Sequence, residues 1–131
     1  MNYNYNSPTE AIISLENAYT NKDLDGIITS KDFIAEAKLI LKDASYNYDI
    51  NDTKIVNETA ELLKTALVQS LNENGFPSFK DVERTFSELK ELNDNIYFIE
   101  EKLSFPSNLN YTNKVYLSNN KEVWKVAMIE E

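Results

Sequence analysis

Cysteine and histidine are both absent from this chain of 131 residues. Their absence excludes disulfides, thiol nucleophiles, the common zinc sites and every triad that turns on an imidazole. Any general acid or base must be Asp, Glu, Tyr or Lys. Glycine and proline are scarce, with 2 and 3 copies, which leaves little material for flexible linkers. Positive charge is thin as well. Arg84 is the one arginine, and the formal net charge is −9. Phosphate backbones need a basic patch, so nucleic acid is excluded as a partner. No apolar run approaches the length of a membrane span. Met1 to Asn6 has neither the basic nor the apolar region of a signal peptide, so the sequence predicts a cytoplasmic protein with no membrane attachment.

What is present suits one folded domain over residues 1–131. Hydrophobic residues make up 42% of the chain, enough for a core at this length. The acidic surface is compatible with a basic protein partner.

Helical signals fill the first half. Ser7-Pro8-Thr9-Glu10 combines a cap, a proline at the first helical position and a capping box. Ala11, Ile12, Leu15, Ala18 and Tyr19 then fall on one face. Asp23 caps a short second helix through Ile27 and Ile28. Ser30 is expected to cap a third, whose apolar face runs through Phe33, Ile34, Ala37, Ile40 and Leu41. Ala44 to Asn51 reads as a polar linker. Asp52 opens a longer helix with a stripe through Val56, Ala60, Leu63, Ala66, Leu67 and Leu71, widened by Ile55 and Leu62. Asn74-Gly75 ends it.

Strands close the chain. Ile96 to Phe105, Lys114 to Ser118 and Glu122 to Ile129 alternate as strands do. Asn93-Asp94-Asn95 is a turn, and Pro106 to Asn110 a longer connection. Asn119-Asn120 predicts a two-residue hairpin loop, because asparagine tolerates positive φ. The segment 79–91 has two readings: Val82, Phe86 and Leu89 suit a helix, whereas Val82, Arg84 and Phe86 share one face of a strand. The order of elements predicts an α+β fold, with N-terminal helices packed on a strongly curved antiparallel sheet.

Two stretches carry a resemblance. Ala18-Tyr19-Thr20-Asn21-Lys22-Asp23-Leu24-Asp25 looks like the opening of the NTF2-like (cystatin-like, cone-shaped) superfamily. Glu122-Val123-Trp124-Lys125-Val126 looks like its last strand. Asn21-Lys22-Asp23, Lys31-Asp32-Phe33 and Glu36-Ala37 also resemble bacterial NTF2-fold immunity-type proteins. The resemblance implies a bent sheet around helices, a strand over 79–91, and a cone that serves small apolar ligands, isomerase or dehydratase chemistry, or protein partners. Members that pair arginine with two aspartates, or that use histidine, find no counterpart here. Fold alone does not choose among the remaining roles.

Candidate site residues follow from the faces of the strands. Tyr97, Ile99, Glu101, Leu103 and Phe105 share a face, and Glu101 interrupts an otherwise apolar row. A carboxyl among apolar groups has a raised pKa and suits a proton shuttle or ligand anchor. Tyr19 and Tyr97 are candidate hydrogen-bond donors beside it. Asp23, Asp25 and Asp32 read as helix caps and first-turn carboxylates rather than a metal site, and no cofactor is expected. On the last strand Trp124, Val126 and Met128 form one apolar row, with Val123, Ala127 and Ile129 on the other. A sheet covered on one side only would leave such a second row exposed. Tyr116, Val123, Ala127 and Ile129 are the expected homodimer interface, with cover by the N-terminal Tyr3 and Tyr5 segment as the alternative. The reading that combines these features is a non-catalytic binding protein of the immunity type, facing a toxin. The alternative is a small-molecule binder or isomerase-like enzyme using Glu101 and the tyrosines.

Overall fold

Ser7 begins the first helix as its sequence requires. Its hydroxyl accepts from the Glu10 backbone N–H at 3.2 Å and donates to Glu10 Oε1 at 3.0 Å. The computed structural model of the chain describes residues 3–43, 52–93 and 95–131. The expected 44–51 linker and Asp94 of the expected turn lie outside the described residues. Four helices come first: α1 (Pro8–Thr20), α2 (Leu24–Ser30), α3 (Phe33–Asp43) and α4 (Thr53–Asn74). Five strands follow: β1 (Glu83–Phe86), β2 (Lys90–Asn93), β3 (Ile96–Ser104), β4 (Asn110–Asn120) and β5 (Val123–Glu130). Among the described residues no helix is long and apolar enough to cross a membrane.

The strands form an open antiparallel sheet in the order β1-β3-β4-β5, with β2 also paired to β3. β1 runs against Glu101–Ser104 and β2 against Ile96–Phe98, so the two short strands share one edge of β3. Between them Ser87 bonds Glu100 twice, through its backbone N–H and its hydroxyl. The 79–91 segment therefore contains strand. Its helix-like spacing loses to pairing with β3.

Ile99, Glu101 and Leu103 define the inner face. Against it α1 sets Ala11, Ile12, Leu15 and Ala18, and α2 adds Ile27, over Val115, Leu117 and Val126 from β4 and β5. Ile12, Leu15, Ile27 and Leu117 are completely or almost completely buried. Each contributes about 1.5–3 kcal/mol of burial free energy. Gly26 is required here, because a Cβ would stand 2.7 Å from both Asp23 Oδ2 and the Tyr3 ring. Residues 3–5 strap α1, α2 and β5 together. Tyr3 donates to Asp23 Oδ2, Asn4 exchanges two bonds with Ser14, Tyr5 pairs with Ser30, and Tyr5 O accepts from Trp124 N.

The outer face is covered from within the chain, by α3. Ala35 and Leu39 of α3 pack on Tyr116, Ala127, Phe98, Ile96 and Met128. The row assigned to β5 also changes. A register shift lies between Tyr116 and Leu117, which pair with Met128 and Val126. The bulge at Ala127 sends Val126 inward to the core and Met128 outward, so Trp124, Val126 and Met128 do not form one row.

Two boundaries differ from the sequence reading. Ser30 does not cap α3; it ends α2 and donates to Gly26 O, while Asp32 accepts from Ala35 N at 2.9 Å as the cap. Lys31 and Asp32 instead bridge to β5, with Asp32 N donating to Val126 O. The β4–β5 loop is Lys121-Glu122, at φ 53° and 66°, rather than Asn119-Asn120. Burial of Leu117 against Val126 sets the register, and the turn takes whatever residues remain. Along α4, Val56, Ala60 and half-buried Leu63 meet Ala37 and Leu41 of α3, while Leu71 and half-buried Leu67 join the inner core. Leu62, expected to widen the stripe, is instead 70% exposed.

Candidate functional site

Glu101 lies inside. Its side chain is 2% exposed, with Phe86 of β1 and Asn113 of β4 as its neighbours across the ladders. Two charged partners reach it from different elements. Arg84 enters from β1, two pairs along and so on the same face, where it faces Leu103. Glu16 enters from α1, which turns Ile12, Leu15 and Glu16 to the buried side, with Tyr19 packed beside them.

Arg84 joins the two carboxyl groups. Its Nε and Nη2 both lie 2.8 Å from Glu16 Oε1, and Nε lies 3.9 Å from Glu101 Oε2. The first contact is a short charge-assisted pair; the second is electrostatic only. One positive charge therefore faces two carboxyl groups. The conflict is settled by a proton on Glu101, whose pKa is pushed up to about 9. Burial is the largest cause, followed by its hydrogen bond to Glu16 and the charge of Glu16, with Arg84 opposing. Glu101 is thus held protonated at neutral pH, donating toward Glu16 while Glu16 accepts from Arg84. Glu101 Oε2 and Asn113 Oδ1 are both buried without a partner among the described residues. They belong to facing residues of β3 and β4.

Rings close the adjoining end of the sheet. Tyr19 meets Phe79 at 6.3 Å, Phe79 meets Phe105 at 6.0 Å, and Phe105 meets Tyr111 edge-on at 5.7 Å. Thr20 Oγ1 accepts from Phe79 N at 2.8 Å and fixes the connecting loop to the end of α1. Tyr19 is pushed up to about 12, first by burial and then by the charge of Glu36. It is a poor acid in this setting. Tyr97 stands elsewhere. Four residues along β3 place it about 13 Å from Glu101, and its ring packs on Trp124 at 4.9 Å. Glu101 and Tyr97 therefore do not converge on one point, and Tyr19 joins the aromatic row instead.

Of the expected interface residues, Tyr116 and Ala127 are buried under α3, while Val123 and Ile129 are 43% and 44% exposed. Lys114 further covers the outer face, its ammonium 4.4 Å and 4.9 Å from the Phe98 and Tyr116 rings. Asp23 acts as the cap its position suggested, and Asp32 takes the capping role expected of Ser30. The Glu16 and Arg84 partners of Glu101 were missed by the sequence reading. Glu16 had a signal: it sits four residues after Ile12 and three before Tyr19, within an apolar stripe.

No family model matches the chain, and no curated protein matches it. Among solved structures it is similar to a Campylobacter jejuni protein described as a candidate NTF2-like transpeptidase, at a TM-score of 0.52 and 16% identity. The alignment covers 93% of this chain and 99% of that one. The likeness shows the fold: four helices packed on an antiparallel five-stranded sheet, in the NTF2-like arrangement.

Proposed function

We propose that this NTF2-like domain is a non-catalytic bacterial binding protein of the immunity type, whose partner is a toxin with a basic surface. The observation that carries the reading is the closure of the Glu101 cluster. The carboxyl that interrupts the inner face is 2% exposed and answers to Glu16 and Arg84 of its own chain. Its proton is held by internal contacts instead of being presented to a substrate. The net charge of −9 favours encounter with a cationic protein.

Co-expression with a candidate cognate toxin is the direct test. The reading expects survival of the host and a stable complex by light scattering. Absence of both complex and protection overturns it. Glu101→Gln is expected to protect as well as the wild type.

A second reading has one observation in its favour, the proton that Glu101 retains at neutral pH. It makes the domain a small-molecule binder or isomerase-like enzyme with Glu101 as general acid. That requires the Tyr19–Phe79–Phe105 row to part and admit a ligand. In that case Glu101→Gln abolishes turnover while leaving the fold intact. A homodimer, if formed, would rest on Val123 and Ile129, since Tyr116 and Ala127 pack within the chain; solution mass of the wild type against Ile129→Lys decides it.

A further inference from the structure

A groove of about 570 Å³ lies on the other side of the molecule from Glu101, between α3 and the β2–β3 and β4–β5 ends of the sheet. Its volume is in the range of small-molecule sites. Leu39 and Ile96 give it an apolar floor, continuous with the cluster that α3 buries on Tyr116. Lys38 and Lys42, one helical turn apart on α3, stand along one wall. Asn93, Asn95 and Asn120 supply amides from the opposite wall.

The charge balance of this groove differs from that of the protein. Among the described residues Asp32 is its one acidic lining residue, and both its oxygens are engaged: Oδ1 accepts from Ala35 N at 2.9 Å and Oδ2 from Ser118 Oγ at 2.6 Å. Lys38 and Lys42 have no ion-pair partner among the described residues. The side chains of Asn93, Asn95 and Asn120 have none either. A chain with 22 acidic residues thus builds a groove in which, among the described residues, the cations and amide donors are unpaired and the carboxylate is not. Such a surface repels an anion almost everywhere else and accepts one here. We propose that this groove binds a small organic carboxylate with an apolar tail. The carboxylate meets Lys38 and Lys42, and the tail lies on Leu39 and Ile96. This goes beyond the toxin-binding reading and does not depend on it.

The test is an amide-resolved NMR titration of the whole chain with octanoate, and in parallel with octyltrimethylammonium. The expected result is saturable shifts with octanoate at Ala35, Leu39, Ile96, Ser118 and Asn120, and none of comparable size with the cation. Lys38→Gln with Lys42→Gln is expected to weaken octanoate roughly ten-fold or more, since each charge-assisted contact is worth more than a neutral one. Both lysines are exposed, so the double variant keeps the wild-type spectrum elsewhere. Equal shifts by the cation show a merely greasy surface and overturn the proposal. So do shifts centred on Tyr19 and Phe105, unaltered octanoate affinity in the double variant, or no saturable shift at all.

Discussion

The inner cluster and the outer groove hold similar chemistry in opposite states. Inside, Glu16, Arg84 and Glu101 converge from α1, β1 and β3, and each answers to another member of the group. Outside, Lys38, Lys42 and three asparagines line a space and answer to nothing among the described residues. The comparison teaches that a polar residue on an apolar face is not by itself a site. What matters is whether its charge is already met. Charges answered within the chain, as at Glu16 and Arg84, hold the fold even where Glu101 Oε2 has no hydrogen-bond partner among the described residues, and cations left unanswered beside an apolar floor are available to something else.

Breaking the inner cluster should have the largest effect. Arg84→Ala leaves two carboxyl groups side by side, Glu16 at 6% and Glu101 at 2% exposure. A loss of about 3–5 kcal/mol is expected in urea unfolding, as for other buried pairs deprived of one partner. Adding Glu16→Gln to that variant should recover part of the loss. If Arg84→Ala unfolds like the wild type, the cluster is not structural.

Glu101→Gln sharpens the comparison through pH. A carboxyl whose folded pKa is raised binds its proton more tightly in the folded state. Its stabilisation is complete below the ordinary carboxylate value of 4.5 and is lost as the pH rises toward about 9. Wild-type stability should therefore fall across that window, with a slope of at most about 1.4 kcal/mol per pH unit from this group. Glutamine copies the protonated acid and cannot ionise. The variant should overtake the wild type as the pH rises, and urea midpoints at pH 5, 7 and 9 read the crossing.

On the groove side the structural effects shrink. Asp32→Ala removes the α3 cap and the partner of Ser118, which is 2% exposed. About 2 kcal/mol is expected from the two losses, measured by thermal unfolding. Lys38→Gln should change stability by less than about 0.5 kcal/mol. A Lys38 variant as damaging as Arg84→Ala would erase the distinction between the two regions.

Much of the fold was legible in local chemistry. The Ser7 capping box, Asp23 and Asp52 mark helix starts that the backbone obeys, and Gly75 ends α4 at a φ of 83°. These signals are short-range and survive into the structure. The misses are long-range. α3 has an apolar stripe, but the stripe does not say that Ala35 and Leu39 cover the outer face of the sheet. Asn119-Asn120 is the better turn sequence, yet the buried Leu117–Val126 pairing moves the loop to Lys121-Glu122. The bulge at Ala127 then breaks an alternation that looked regular along β5. At the site, Glu101 was legible as a carboxyl on an apolar strand face. Its partners were not, because Glu16 and Arg84 lie 68 residues apart in the chain and meet only once β1 pairs with β3 under α1. Tyr97 shows the same limit, since nothing local indicates that its ring packs on Trp124.

The most direct test is the titration of the Glu101 side-chain carboxyl carbon by NMR between pH 4 and pH 10. The account predicts that this carboxyl stays protonated through neutral pH and releases its proton only near pH 9, far above the ordinary carboxylate range. A Glu101 carboxyl that titrates near 4.5 would be open to water, and would contradict a sealed inner cluster.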